Sequence, residues 1–135
     1  MTTPLEARTA ITTKFNTTYG ATTTVRWPNV SFEEPTDGSS WVSFDIVLGD
    51  AIATSISSKH NEQLGMVMIN VFTKTLTGMI ASTTLVQTVR AIFNRLTLST
   101  IQFETPEIRP VTTDSDDLWY QVLVRIPFFY DETVT

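Results

Sequence analysis

The sequence predicts an α+β fold in a single domain spanning residues 1–135, with a mostly antiparallel or mixed sheet packed against two helices and a long polar β-hairpin. Three observations predict it. Apolar alternation runs through Trp41 to Leu48 and again through Leu118 to Ile126, the period of half-buried strands. Leu85, Val86, Val89, Ile92, Phe93 and Leu96 form a stripe with the period of an amphipathic helix. The chain has 135 residues, 41% hydrophobic and 17% charged, enough for one core that needs no metal or disulfide staple.

The elements follow in order. Thr3, Pro4 and Glu6 have the spacing of an N-cap, a first-turn proline and a capping box, so a helix starts there and Gly20 stops it. Leu5, Ile11, Phe15 and Tyr19 are expected on its buried face. Its many Thr make it intrinsically weak, so tertiary packing must hold it. Thr22 to Trp27 reads as a short strand ended by Pro28, and Pro28 to Ser40 as an irregular loop. In the strand from Trp41, Val42, Phe44, Ile46 and Leu48 face one way and Trp41, Ser43, Asp45 and Val47 the other.

Gly49-Asp50 is expected to break that strand. A weaker strand follows at Ala51 to Ser57, then a polar turn at Ser58 to Glu62, and the whole forms the polar hairpin around residues 49–64. Gly65 to Thr73 is apolar on both faces, which predicts a central strand. Lys74 to Gly78 connects it to the second helix, with Thr75 or Thr77 as a cap. Short strands are expected at Ser99 to Phe103 and Ile108 to Thr112, and a long one at Leu118 to Tyr130 whose far end Pro127 keeps from being fully central.

Composition narrows the chemistry. There is no Cys and one His, which removes thiolate nucleophiles, Cys metal sites and disulfides, and most His-based metal or acid–base sets. Nine Lys and Arg against 14 Asp and Glu leave a net charge of −5, the wrong sign for gripping duplex DNA or an anionic membrane. The start of the chain lacks the basic and apolar run of a signal peptide, and no apolar run approaches the roughly 20 residues that span a bilayer. The protein is expected to be made in the cytoplasm.

His60 beside Glu62 is a conceivable general base, but a solvated turn His is the stronger reading. Asp114, Asp116 and Asp117 have the density of a calcium loop and lack its Gly and bidentate Glu. Glu33, Glu34 and Asp37 read as surface charge in a loop. Trp27, Phe32, Trp41 and Trp119 are core or contact aromatics, with Trp41 and Trp119 on the less apolar faces of their strands. No catalytic, cofactor or metal site is assigned, and an assembly component is favoured over an enzyme.

The run Trp27-Pro28-Asn29-Val30-Ser31-Phe32-Glu33-Glu34-Pro35, then Trp41-Val42, Gly65 opening an apolar strand, Ala91-Ile92-Phe93 closing a helix, and Trp119-Tyr120-Gln121 leading to Pro127-Phe128 resembles the tail terminator proteins of long-tailed bacteriophages. The likeness covers roughly residues 3–131, and its best local marker is Asn29, Phe32 and Pro35 followed by Trp41.

The resemblance implies a virion protein at the head-proximal end of the tail, a homohexameric ring that stops tube polymerisation. Its implied partners are further copies of itself, the tail tube protein and a head–tail connector or stopper protein, with DNA only a passing neighbour in the lumen and no membrane or cofactor. Subunit or partner contacts are expected at Asn29, Phe32, Trp41, Lys59, His60 and Trp119. An acidic lumen is expected at Glu33, Glu34, Asp114, Asp116 and Asp117. Alternatives are another connector or tail-completion subunit, and, from a different class, a small-molecule enzyme or binding domain using His60 and Glu62.

Overall fold

A computed structural model describes residues 3–20, 22–36, 39–53, 60–74, 79–111 and 119–133. The helices are α1 (Pro4–Tyr19) and α2 (Met79–Phe93). The strands are β1 (Thr24–Arg26), β2 (Trp41–Ala53), β3 (His60–Lys74), β4 (Thr97–Leu98), β5 (Ile101–Phe103), β6 (Glu107–Val111) and β7 (Trp119–Thr133). They form one open mixed sheet in the order β1-β2-β3-β7-β5-β4, with β6 also paired to β7. Only β1 and β2 run parallel. β3 is central, as its two apolar faces predict.

Helix α1 starts where its signals put it. The Thr3 hydroxyl accepts from the Glu6 N–H at 3.2 Å, and the Gly20 N–H closes the last turn on the Asn16 carbonyl, with Gly20 at a positive φ of 58°. The buried face is Ala7, Ile11, Phe15 and Tyr19. Leu5 was expected there and is 74% exposed. The helix seats Ala7 on the sheet one turn after the cap, so the first turn stands clear of the core. Phe15 stacks on Phe44 at 4.6 Å and lies 6.5 Å from Phe93, tying α1 to β2 and α2.

Both helices lie on one face of the sheet. That face presents Val42, Phe44 and Ile46 from β2, Val67, Ile69 and Val71 from β3, and Val122, Val124, Ile126 and Phe128 from β7, all buried. They align because the pairs Val42↔Val71↔Val122, Phe44↔Ile69↔Val124 and Ile46↔Val67↔Ile126 sit directly opposite one another across the ladders. Gly65 continues the same row opposite Phe128, and a Cβ there would lie 2.4 Å from the Phe128 ring. The ring occupies the space that the glycine leaves.

The structure departs from the sequence expectation in four places. Gly49-Asp50 does not end β2: the register shifts between Leu48 and Ala51, a bulge, and the strand runs on to Ala53. The Gln63 amide makes this possible, donating to the Gly49 and Leu64 carbonyls at 2.8 Å each. β3 begins at His60, so Glu62 sits in a strand and not at a turn tip. Thr97–Leu98 adds a short strand, β4, joined to β5 by a turn in which Ser99 has a φ of 56°. Leu48 shares the alternation of Val42, Phe44 and Ile46 but belongs to the exposed apolar residues. The expected caps Thr75 and Thr77 lie outside the described residues.

Pro127 interrupts nothing. Its carbonyl accepts from the Glu104 N–H, so its nitrogen faces the gap between the end of β5 at Phe103 and the start of β6 at Glu107, where no ladder bond is needed. β7 therefore stays paired with β3 as far as Thr133. The ends of β2, β3 and β7 together make a three-stranded arm, broader than the two-stranded hairpin expected.

The free sheet edges are blunted. β1 covers only Trp41 to Ser43 of β2. Just beyond it, the Asp45 carboxylate takes the Ile46 N–H at 2.8 Å. On the other side β6 carries Pro110, which has no N–H to offer.

Candidate assembly interface

Of the expected contact residues, Trp41 and Trp119 lie on the sheet face away from the helices. Successive side chains alternate, so Trp41, Ser43, Asp45 and Val47 on β2 share this face with Met66, Met68, Asn70 and Phe72 on β3 and with Trp119, Gln121, Leu123 and Arg125 on β7. At one end it is aromatic. Trp41 stacks on Phe72 with centroids 3.9 Å apart and meets Trp119 edge-on at 6.1 Å.

The chain's own loop covers that end. Phe32 lies 4.9 Å from Trp41, and the Trp119 indole N–H donates to the Glu34 carboxylate at 2.9 Å. Trp41 is left 2% exposed, its indole nitrogen buried without a hydrogen-bond partner. The turn into the loop uses Asn29 at a φ of 57°, a left-handed conformation that Asn tolerates better than most residues. Beneath this turn is an open, largely polar cleft of about 650 Å³ lined by Arg26, Asn29, Ser43, Asp45 and Asn70.

The other end of the face is uncovered and mostly apolar. Val47 is exposed and Leu64, Met66 and Met68 are half-buried around a shallow depression of about 390 Å³, with half-buried Leu123 and Phe129 on the same sheet face. Arg125 crosses it, its guanidinium 3.1 Å from the Met66 sulfur and 3.8 Å from Glu107, which also meets Arg109 at 3.6 Å. Gln121 donates to Asn70 at 2.7 Å. Towards the tip of the arm the same face turns acidic, with Glu62 directly opposite Asp131.

Among the described residues, two core tyrosines are displaced: burial raises the Tyr19 pKa, partly opposed by its hydrogen bond with Thr23, and burial with the nearby Glu132 raises that of Tyr130, opposed by Arg8. Among the described residues, no three His, Cys, Asp or Glu gather as a metal site would require. No helix there is long and apolar enough to cross a membrane.

The structure thus brings Phe32, Trp41, Trp119 and Glu34 into one cluster and leaves Asn29 and Glu33 on the exposed side of the same loop. His60 opens β3. Lys59, Asp114, Asp116 and Asp117 lie outside the described residues. Sequence reasoning missed Phe72 as the stacking partner of Trp41, although its alternation placed it on the correct face. It also missed the exposed Met79 and Ile80 at the start of α2, two apolar residues off the core stripe.

A small α+β subunit with one sheet face sealed by helices and the other half strapped by its own loop is built to present contact surfaces. The chain belongs to the phage tail terminator protein family, whose profile matches residues 6–128, and it is a structural protein of the bacteriophage tail. A solved structure of unstated function aligns over 95% of this chain and 98% of its own length, with a TM-score of 0.66 and 13% identity, and shares the fold. No curated protein matches the sequence.

Proposed function

We propose that the protein caps the head-proximal end of the tail tube as a homohexameric ring, stops tube polymerisation there and offers its opposite surface to the head-side connector or stopper protein. Family membership over residues 6–128 carries this reading. Termination is steric: one ring face docks on the last tube ring, and the other lacks the surface that recruits another. The strapped loop with Asn29 and Phe32, and the arm whose β3 strand begins at His60, are the surfaces assigned to neighbouring proteins, together with Lys59 next to His60 in the sequence, and with Trp41 and Trp119 as the platform under the loop.

Six copies at −5 each bring a formal charge of −30. An acidic lumen repels phosphate and lets DNA pass without being held. Glu33, Glu34, Asp114, Asp116 and Asp117 are assigned to it.

Purified protein added to polymerising tube subunits should shorten the tubes in proportion to its concentration and be visible as a ring at one end by electron microscopy. Unchanged tube lengths with bare ends would reject the proposal. Rings bound at connectors and absent from tubes would place the protein at the head instead.

A further inference from the structure

The charge of the chain is segregated. The helical layer, α1 and α2 with the turn after α2, holds four basic residues, Arg8, Lys14, Arg90 and Arg95, and one acid, Glu6, a formal +3; the rest of the chain therefore carries −8 of the total −5. The outer face of α2 is poor in charge for an exposed helix. Met79 and Ile80, 59% and 85% exposed, open it, and Thr83, Gln87 and Arg90 follow on the same side. The Thr84 and Thr88 hydroxyls are turned back onto the Ile80 and Thr84 carbonyls at 2.8 and 3.0 Å, which leaves their methyl groups outward. From apolar start to basic end, Ile80 to Arg90, the helix runs about 15 Å.

The open face of the arm carries the matching sequence of surfaces. Met66, Leu64 and Phe129 form its apolar base, and Glu62 and Asp131 its acidic end, about 7 Å beyond the Leu64–Phe129 pair and about 13 Å beyond Met66 along the strands. Glu62 and Asp131 are direct cross-strand partners of like charge, an arrangement that is unfavourable by itself and is relieved by a cation from outside. Among the described residues, neither they nor Arg90 and Arg95 are in an ion pair.

We infer that in the assembled ring the outer face of α2 from one copy packs across the open face of the three-stranded arm of the next, with Met79 and Ile80 over Met66, Leu64 and Phe129, and with Arg90 and Arg95 against Glu62 and Asp131. The occupant is a second copy because one chain carries both halves, apolar to apolar and basic to acidic, in the same order. The halves lie on opposite faces of the sheet layer, so the contact is head-to-tail, the kind that closes rings or propagates filaments and not isolated dimers. This contact rests on the ring reading above and specifies which surfaces close it.

Two charge-reversed variants test it, R90E/R95E and E62K/D131K, all at positions outside the core. Each alone should lose rings, in solution or at tube ends, with self-association weakened about tenfold or more. An equal mixture should regain them, because every interface in an alternating ring is then complementary, and native mass spectrometry should find only even subunit numbers with both chains equally represented. The fourfold variant should assemble alone. Circular dichroism matching the unaltered protein establishes that each variant is folded. Either variant forming rings like the parent, or a mixture that fails to restore them while the parent assembles, would overturn this contact and leave the ring reading standing. A parent that neither forms rings nor binds tube ends removes the ring reading and the contact together.

Discussion

Gly65 and Tyr130 show how single residues set limits on this sheet. The Phe128 ring lies across Gly65, and the nearest ring atom is 2.4 Å from where a Cβ would be. Gly65→Ala should therefore destabilise the fold by about 1–3 kcal/mol, the range of core overpacking, measured by chemical denaturation. Tyr130 is buried with its hydroxyl unpartnered among the described residues. Tyr130→Phe should be neutral or stabilising by up to about 1 kcal/mol, since it removes a desolvated group that makes no bond.

The same tyrosine sets an alkaline limit. Its folded pKa is raised above the ordinary value of 10.0, so the folded state holds the proton more tightly than the unfolded chain. The associated stability is complete below pH 10 and is lost as pH rises through the folded pKa. Tyr130→Phe should flatten part of the loss of stability seen in denaturation curves taken above pH 10, and Tyr19, shifted in the same direction, contributes to what remains. Of this detail the sequence disclosed little. Gly65 reads as the opening of a strand, and nothing local says that a ring 63 positions later fills its place.

At the scale of elements, the loop from Pro28 to Thr36 is a strap held by one charge-assisted hydrogen bond and one ring contact. Glu34→Ala should release it, at a cost of about 1–2 kcal/mol, and expose Trp41 and Trp119. Tryptophan emission should shift to the red and acrylamide quenching increase. Unchanged emission would show that Phe32 alone holds the loop.

Both helices and the central place of β3 were legible because their periods and caps are local signals: Thr3 to Glu6, Gly20, and the stripe from Leu85 to Leu96. The extent of β2 was not. Gly49-Asp50 has the composition of a turn, and only Gln63, fourteen positions away from Gly49, satisfies the carbonyls that turn a break into a bulge. Leu5 failed for a related reason. It has the spacing of a core residue, but helical spacing does not show where along the helix the sheet begins.

For the whole molecule, the separation of a basic helical layer from an acidic remainder governs behaviour in salt. Self-association should weaken as ionic strength rises from about 0.1 to 1 M, because the screening length falls from about 10 to 3 Å. Sedimentation velocity across that range measures it, and an increase with salt would mean that apolar contact alone drives assembly. In the same buffers the protein should not retain duplex DNA on filters at physiological ionic strength. Family and fold class were legible at this scale, through Asn29, Phe32 and Pro35 followed by Trp41. The contact surfaces of the cluster were legible only in part. Trp41 and Trp119 stood out as aromatics on polar faces, but a loop of the same chain takes the place that a partner was expected to fill.

The blunted edges bear on how the proposed ring would behave. With the Ile46 N–H held by Asp45 and a proline in β6, neighbouring copies have little opportunity to merge their sheets into one hydrogen-bonded belt. Each subunit then remains mechanically separate, joined to the next by side chains that can slide or tilt without breaking a backbone ladder. A collar jointed in this way can follow small changes in the diameter of whatever passes through it, where a continuous barrel would have to tear.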